Sequence, residues 1–328
     1  LQSKPEHKKL ARKILNFIRR HDDFLLSAHI NADGDAIAAV LALGLLLDLL
    51  NKKYTMILHD PQPDIRFNYL KNFEKILAYQ DQLKIYTTTA IILDVPGIKR
   101  LGEVQKLLPQ KSRIVRIDHH PTEDEFAGLE MVDEGASSTT QLIYEIVELS
   151  RVEINLALAN AIYTGIVYDT GRFSFSNTTA RDMYICGRMI DIGVDPSEIN
   201  NRIFFENSFA ALRTIGKGLA NMESFLNGAV HIIYLDYGSM KNNHQGEIDE
   251  LANYSVAIRG GQVGLFIREA EAGLHKVSLR SKGKVDVNQV AKVFNGGGHA
   301  RAAGCRIQGS KEEVIKKLLL EIEKRLSI

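Results

Sequence analysis

Residues Phe24 to Leu50 read FLLSAHINADGDAIAAVLALGLLLDLL. The opening run, Phe24 to Ala28, has the length and apolar character of a short strand. The closing run, Asp35 to Leu50, is too long for a strand and reads as a helix. Between them lies a polar loop, His29-Ile30-Asn31-Ala32-Asp33-Gly34-Asp35, which places H-x-x-x-D-x-D where a strand gives way to a helix. Working outward, Tyr54 to Leu58, Ala90 to Asp94 and Arg113 to Ile117 read as further strands. Strands that alternate with helices pair in parallel, and nearly continuous apolar runs such as Ala90-Ile91-Ile92-Leu93 imply a sheet covered on both faces.

Helical patterns dominate from Ser137 to about Asn221, including Asn155 to Val167 and Ala180 to Gly193. After Asn227 a second β-rich texture begins with HIIYLDYG and continues through VAIRGGQVGLFIREAE, whose central Gly260-Gly261 predicts a hairpin. A helix over Val287 to Phe294, a strand near Ala303 to Ile307 and a helix over Lys311 to Arg325 follow. The expected fold class is α/β: a parallel-sheet domain over 1–192 with helices on both faces, a helical connector over 193–227, and a smaller α/β domain over 228–328.

In an open parallel sheet the ligand crevice lies at the carboxyl ends of the strands. Here those ends carry metal-ligand residue types: His29, Asp33 and Asp35 after the first strand, Asp94 after the third, Asp118, His119 and His120 after the fourth. Asp169 ends a helical pattern. Gly34 is expected to let the chain turn tightly between Asp33 and Asp35. Five carboxylates and three imidazoles in one crevice repel one another unless cations are present. Two divalent ions would neutralise four of the carboxylates, and an oxygen-rich donor set with imidazole and no thiolate favours Mn or Mg, with Fe or Co as alternatives, over structural zinc.

With 328 residues, 45% hydrophobic and 25% charged, the chain has the composition of a soluble two-domain protein. The longest apolar stretch, Ala36 to Leu47, is about 12 residues against the roughly 18 that a spanning helix needs. A cytoplasmic protein is expected. Cys186 and Cys305 have no partners at zinc-ligand spacing and read as core thiols. A net charge of +1 argues against a long nucleic-acid complex. Residues 229–328 hold 15 Lys plus Arg against 11 Asp plus Glu, whereas the rest is slightly acidic, a balance that suits a small anionic ligand. In Phe294 to Gly304, FNGGGHARAAG, the backbone N–H groups of Gly296, Gly297 and Gly298 could approach an anion, with His299, Arg301 and Arg280 as charged donors. Arg259 is a weaker candidate. Asn177 or Thr178 is expected to cap the helix that follows. His21, His59, His231, His244 and His275 receive no role.

Taken together, HINADGDAIAA, IILD, RIDHHP, YDTGRFSFSN, VSLRS and FNGGGHARAAG, in this order, resemble the motifs of the DHH phosphoesterase superfamily with its DHH-associated C-terminal domain. The family is named for a triplet such as Asp118-His119-His120. The resemblance implies two divalent ions, with Mn the expected metal. His29, Asp33 and Asp94 would hold one ion; Asp35, Asp94, His119 and Asp169 would hold the other, with Asp94 shared. Asp118 would orient a ligand histidine, and His120 would face the scissile phosphate, with Arg172 as a further donor. Ala32 stands where many members have Pro, which leaves every ligand in place.

The resemblance also implies a manganese-dependent hydrolase acting on short RNA (nanoRNA) or on 3′-phosphoadenosine 5′-phosphate (pAp). A phosphodiesterase for cyclic di-AMP or linear dinucleotides is the alternative. The expected partner is a mononucleotide, dinucleotide or short RNA substrate, without membrane; a homodimer is open. The glycine-rich motif argues against manganese pyrophosphatases, and the length against the long single-strand exonucleases. A non-enzymatic nucleotide-binding module is disfavoured by the intact ligand set.

Overall fold

The computed structural model describes residues 3–83, 85, 87–240 and 247–326, so His244 lies outside the described residues. The chain divides into two compact units, Leu1–Glu206 and Asn207–Ile328.

In the first unit, β1 (Phe24–Ser27), β2 (Tyr54–Leu58), β3 (Leu77–Ala78), β4 (Thr89–Leu93), β5 (Ile114–Asp118) and β6 (Leu129–Val132) form a sheet in the order β3-β2-β1-β4-β5-β6. Every pair is parallel. Chain order reverses between β1 and β4, and it is there that connections leave in opposite directions and open a crevice beyond the carboxyl ends. The two-residue β3 is too short to declare a period, and the half-exposed β6 has no continuous apolar run; both escape the sequence reading.

One face of this sheet packs Leu26, Ile91, Leu93, Val115 and Ile117 against α-helices. These are α1 (Pro5–Arg20), α2 (Gly34–Leu49), α3 (Thr139–Ser150), α4 (Leu156–Asp169) and α5 (Ala180–Ile192); a short α6 (Pro196–Asn200) follows. The strongly charged segment before the first strand forms α1, whose stripe of His7, Ala11, Ile14, Leu15 and Ile18 is buried. On the opposite face, Leu25, Ile57, Ala90 and Ile92 are covered by Leu101, Val104 and Phe126. Leu101 and Val104 belong to a 3₁₀ helix, Ile98–Leu107, interrupted at Gly102 by a left-handed φ of 58°. Helices therefore lie on both faces, but only one face carries α-helices.

The α2 helix is buried from Gly34 to Leu47 and has no polar face. It runs through the middle of the layer against α4 and α3. A helix so enclosed is a rigid base for its own first turn, where Asp33 accepts N–H groups of Asp35 and Ala36 as the N-cap.

The second unit holds a mixed sheet in the order β11-β12-β10-β9-β8-β7. Its strands are β7 (Glu223–Phe225), β8 (Val230–Leu235), β9 (Val263–Glu271), β10 (Leu274–Ser281), β11 (Gly297–Gly298) and β12 (Ala302–Gln308). Its helices are α7 (Phe209–Ala220), α8 (Tyr237–Met240), α9 (Glu250–Val256), α10 (Val287–Val293) and α11 (Lys311–Leu326). Val287, Val290 and Ala291 of α10 and Val314, Leu318 and Ile322 of α11 pack on one face. Ala211 of α7 and Leu251 and Ala252 of α9 cover Ile233, Leu235 and Phe266 on the other.

The hairpin expected at Gly260-Gly261 does not form. Residues up to Val256 belong to α9, and β8 and β9 pair in parallel, Val230 opposite Val263, across that helix. The two glycines instead end the crossover, Gly260 at φ 83°. The tight reversal lies at Gly273, φ 72°, between the antiparallel β9 and β10. A short apolar run before the glycines was compatible with strand or helix end, and the crossover decided it.

Cys186 on α5 and Cys305 on β12 are buried thiols, as read from the sequence. Burial pushes Cys305 up to about 12 and Cys186 higher still.

Candidate metal centre

At the switch point between β1 and β4, the chain leaves β1 into His29 and leaves β4 into Asp94. Asp94 takes a left-handed φ of 59°, and its N–H donates to the Ile117 carbonyl of β5 at 2.9 Å. The turn brings its carboxylate under the first turn of α2. Donor atoms of His29, Asp33 and Asp94 lie within 4.8 Å of one another, and so do those of Asp35, Asp94 and His119. His29 Nε2 is 3.3 Å from Asp94 Oδ2 and 3.9 Å from Asp33 Oδ1. His119 Nε2 is 3.5 Å from Asp94 Oδ1 and 3.3 Å from Asp169 Oδ2. All six residues singled out as ligands from the sequence are thus collected around Asp94.

Gly34 serves this arrangement differently from the turn expected of it. It begins α2, and a Cβ there would fall 2.4 Å from the Tyr168 ring and 2.7 Å from Phe67, so the demand is for close approach. Gly165 on α4 is comparable: its Cβ would lie 2.2 Å from Thr140 Oγ1 and 2.8 Å from Asp35 Oδ1.

Several positioning groups were invisible in the sequence. The first N–H groups of α3 are aimed at Asp35: Thr139 N–H donates to Oδ2 at 2.7 Å and Thr140 N–H to Oδ1 at 3.1 Å. Thr139 Oγ1 also donates to Asp94 Oδ1 at 2.8 Å. Asp60 accepts the Ala32 N–H at 3.0 Å and steadies the loop that carries Asp33. The signal that could have found the threonines is Ser138-Thr139-Thr140, a helix-start sequence. Asn177, expected as a helix cap, instead donates to the carbonyls of Ser137 and Asp169, both at 3.0 Å. Thr179 caps α5, in a capping box with Asp182.

The histidines are sorted by their second nitrogens. His29 Nδ1 lies 2.9 Å from the Ile30 carbonyl, which can only accept, so a proton sits there and Nε2 is the nitrogen that faces Asp33 and Asp94 and would ligate a bound cation. His120 Nδ1 lies 2.9 Å from Asp118 Oδ1, which also accepts the His120 N–H at 3.1 Å. Asp118 therefore orients His120, and the donor atoms of Asp94, Asp118 and His120 also lie within 4.8 Å of one another. The other oxygen of Asp118 accepts from Arg116 at 2.9 Å.

Electrostatics divide the acids. Burial, reinforced by the Asp94 charge, pushes Asp35 well above the usual carboxylate range. Burial and the charges of Asp35 and Asp33 do the same to Asp169. Asp94 is also buried, but the charge and hydrogen bond of His120 and the hydrogen bond of His29 hold it well below that range. For His120 burial is outweighed by Asp94 and Asp118, and its pKa is raised well above the usual value. Burial and the neighbouring His120 lower His119, which leaves a neutral imidazole, the form that ligates.

Carboxylates and neutral imidazoles, with no thiolate, are the donors of hard and borderline divalent cations. The residues present fit such ions. Without them, excess charge is relieved by protons on Asp35 and Asp169, so cation binding is expected to displace protons. Cation affinity should rise from acidic toward neutral pH and level off once both acids are ionised in the free protein. Calorimetry of Mn binding in buffers of different ionisation heat checks this; an observed heat that does not vary with the buffer's ionisation heat would contradict it.

The phosphate-binding candidates lie in the second unit. Arg280, on β10, donates from Nε to Asn253 Oδ1 at 3.0 Å, and Arg301 donates to the Gly283 carbonyl and to Ser281 Oγ. Gly297 and Gly298 are neither a flexible turn nor a row of open donors; they pair as β11 with Gly304 and Ala303. Gly296 N–H donates to the Ala291 carbonyl at 2.9 Å and His299 N–H to the Ala302 carbonyl at 2.7 Å, which removes both from an anion cradle. A Cβ at Gly296 would lie 2.2 Å from the Gly304 carbonyl oxygen, so this glycine is demanded by packing. Arg259 is exposed between α9 and β9. In the first unit, Arg172 stacks its guanidinium on Phe204, 4.7 Å from the ring centroid.

The family model described as the DHH family, N-terminal domain, matches residues 23–166, and the DHHA1 domain model matches residues 227–327. The chain belongs to the DHH family. Within the family, it is 28% identical to the bifunctional oligoribonuclease and PAP phosphatase NrnA of Thermus thermophilus, over 92% of this chain and 90% of that protein. The protein of the same description from Bacillus subtilis is also 28% identical, over 95% of this chain and 97% of the other. Among solved structures, an exopolyphosphatase-related protein from Bacteroides fragilis superimposes with a TM-score of 0.88 at 25% identity, covering 97% of this DHH chain and 96% of that one. Among the described residues no helix is long and apolar enough to cross a membrane.

Proposed function

We propose that this DHH-family chain is a two-metal, manganese-dependent phosphoesterase that hydrolyses short oligoribonucleotides and pAp. The observation that carries the reading is the pair of donor groups sharing Asp94 at the switch point of the sheet. The names of the Thermus and Bacillus relatives support the substrate class.

In this reading His29, Asp33 and Asp94 hold one ion, and Asp35, Asp94, His119 and Asp169 the other. Bound divalent ions supply Lewis acidity, activating water and neutralising charge that develops on the phosphoryl oxygens. The chain's own groups do the rest. Thr139 fixes both Asp35 and Asp94, so the carboxylates are set before substrate arrives. His120, its Nδ1 proton held by Asp118, offers an Nε2 proton to a phosphoryl oxygen when the ring is protonated, favouring the more highly charged transition state. In the second unit, the side chains of Arg280, His299 and Arg301 are the proposed binders of a substrate phosphate.

His120→Ala is expected to lower kcat about 10²- to 10³-fold, the scale for removing one transition-state donor, while two Mn ions still bind. Loss of an ion from this variant in a calorimetric titration would show that His120 belongs to the ligand set.

The test of substrate class is turnover on pApA, pAp and cyclic di-AMP, followed by a single-stranded RNA length series at fixed salt. With a net charge of only +1, additional phosphates gain little. kcat/KM should peak at about two to four nucleotides and fall toward about 20, because long strands need many phosphate contacts to bind well. Efficiency that rises with length would favour a processive exonuclease, and turnover confined to cyclic di-AMP a cyclic-dinucleotide phosphodiesterase.

A further inference from the structure

Arg116 lies on β5 with its side chain fully buried, two residues before Asp118, and no step above uses it. A guanidinium withdrawn from water is costly unless its donors and faces are occupied. Here Nη2 donates to Asp118 Oδ2 at 2.9 Å and to Thr122 Oγ1 at 3.3 Å, and Nη1 donates to the Asp124 carbonyl at 3.0 Å. The group packs 5.6 Å from the centroid of the Phe126 ring. These hydrogen-bond partners and the ring all come from residues 118–126, the segment that carries His119 and His120; Glu130 of β6 adds a carboxylate oxygen 3.9 Å from Nη1, and the buried Nε makes no hydrogen bond among the described residues. That segment is folded around one cation.

The same segment is tied to the loop that follows Asp94. Asp124 accepts the Ile98 N–H, at 3.2 and 3.1 Å to its two oxygens, and Glu123 N–H donates to the Pro96 carbonyl at 2.8 Å. With one oxygen of Asp118 held by Arg116, its other oxygen faces His120 and takes both the backbone N–H and the ring Nδ1–H.

We propose that Arg116 is a positioning residue that sets the orientation of the His120 ring through Asp118. A planar fork is needed because one side chain must meet three acceptors in fixed directions, which an ammonium on a flexible stem does not do. An apolar side chain of similar size would fill the space but leave Asp118 without its counter-charge and without a fixed rotamer. The kinetic half of this role rests on the hydrolase reading above; the orientation of the ring does not.

The test uses the full chain with Arg116→Lys, which retains the buried charge and removes the fork, beside Asp118→Asn and the double variant. Arg116→Met alone would strand a buried carboxylate, so it is not the primary probe. In the metal-free protein, imidazole ¹H–¹⁵N spectra should show a protected His120 Nδ1–H that is lost in Arg116→Lys. On pAp or a short RNA, kcat should fall about 10- to 100-fold, the range for groups that orient functional side chains, with KM and Mn affinity unchanged. The double variant should lose no more than Asp118→Asn alone, since one acts through the other. A retained Nδ1–H signal with native kcat would reduce Arg116 to a filler of space, as would a parallel loss of KM, Mn affinity and kcat. If the native protein turns over no phosphoester, the hydrolase reading fails, and the imidazole spectrum still decides the role of Arg116.

Discussion

Asp94→Ala is expected to reduce turnover to background and to abolish tight binding of both Mn ions. Asp94 is the residue common to the two donor groups; its oxygens face His29, His119 and His120, and Thr139 holds it in place. Its removal also takes away one of the two carboxylates, with Asp118, that raise the His120 pKa. The left-handed backbone at this position adds a second cost for alanine, about 1–2 kcal/mol, which asparagine largely avoids. Asp94→Asn should therefore fold like the native protein and still fail to turn over substrate. Near-normal Mn-dependent activity in either variant, with a native thermal transition, would remove Asp94 from the centre of the mechanism.

The second large effect is expected at a residue with no functional group. Gly165→Ala places a methyl where Thr140 and Asp35 already lie, in a layer where neither short side chain has room to withdraw. Alanine is the better helix former by about 1 kcal/mol, whereas overpacking a tight core costs about 1–3 kcal/mol. The net change in stability is then modest. The change at Asp35 is not: its hydrogen bonds to the start of α3 must be displaced, and Mn affinity should fall at least about 10-fold, as for loss of a supporting hydrogen bond. Calorimetric titration of the folded variant measures this, with Gly187→Ala, where a Cβ meets nothing within 4 Å, as the control. Equal Mn affinity in the two variants would mean that the α2–α4 contact leaves the carboxylate untouched.

The centre was legible because strand order forces it. Once Phe24–Ser27 and Thr89–Leu93 are neighbouring parallel strands, residues that follow them meet at one end of the sheet, whatever the intervening chain does. His29 and Asp94 needed no side-chain detail. Arg116, Thr139 and Asp60 did. Each acts through a partner distant in sequence or through a loop conformation, and a lone Arg in a strand or a Thr at a helix start looks the same whether or not it holds a carboxylate.

Gly34 and Gly296 were misread, and Gly165 went unremarked, for a related reason. Gly34, Gly165 and Gly296 are required by what approaches them, Tyr168, Thr140 and the Gly304 carbonyl, and sequence shows only the missing side chain. The second face of the sheet was hidden because its cover is 3₁₀ helix broken at Gly102, which leaves no 3.6-residue period to read.

The distribution of the cysteines gives each unit its own internal clock. Cys186 belongs to the first unit and Cys305 to the second, both buried and both held far from thiolate at neutral pH. A thiol in that state reacts with an alkylating reagent only when its surroundings open. Brief exposure to iodoacetamide, followed by peptide mass analysis, therefore reads the opening of each half separately in the unmodified chain, with no probe to introduce. Cations that brace only the Asp94 cluster should slow the modification of Cys186 and leave that of Cys305 unchanged.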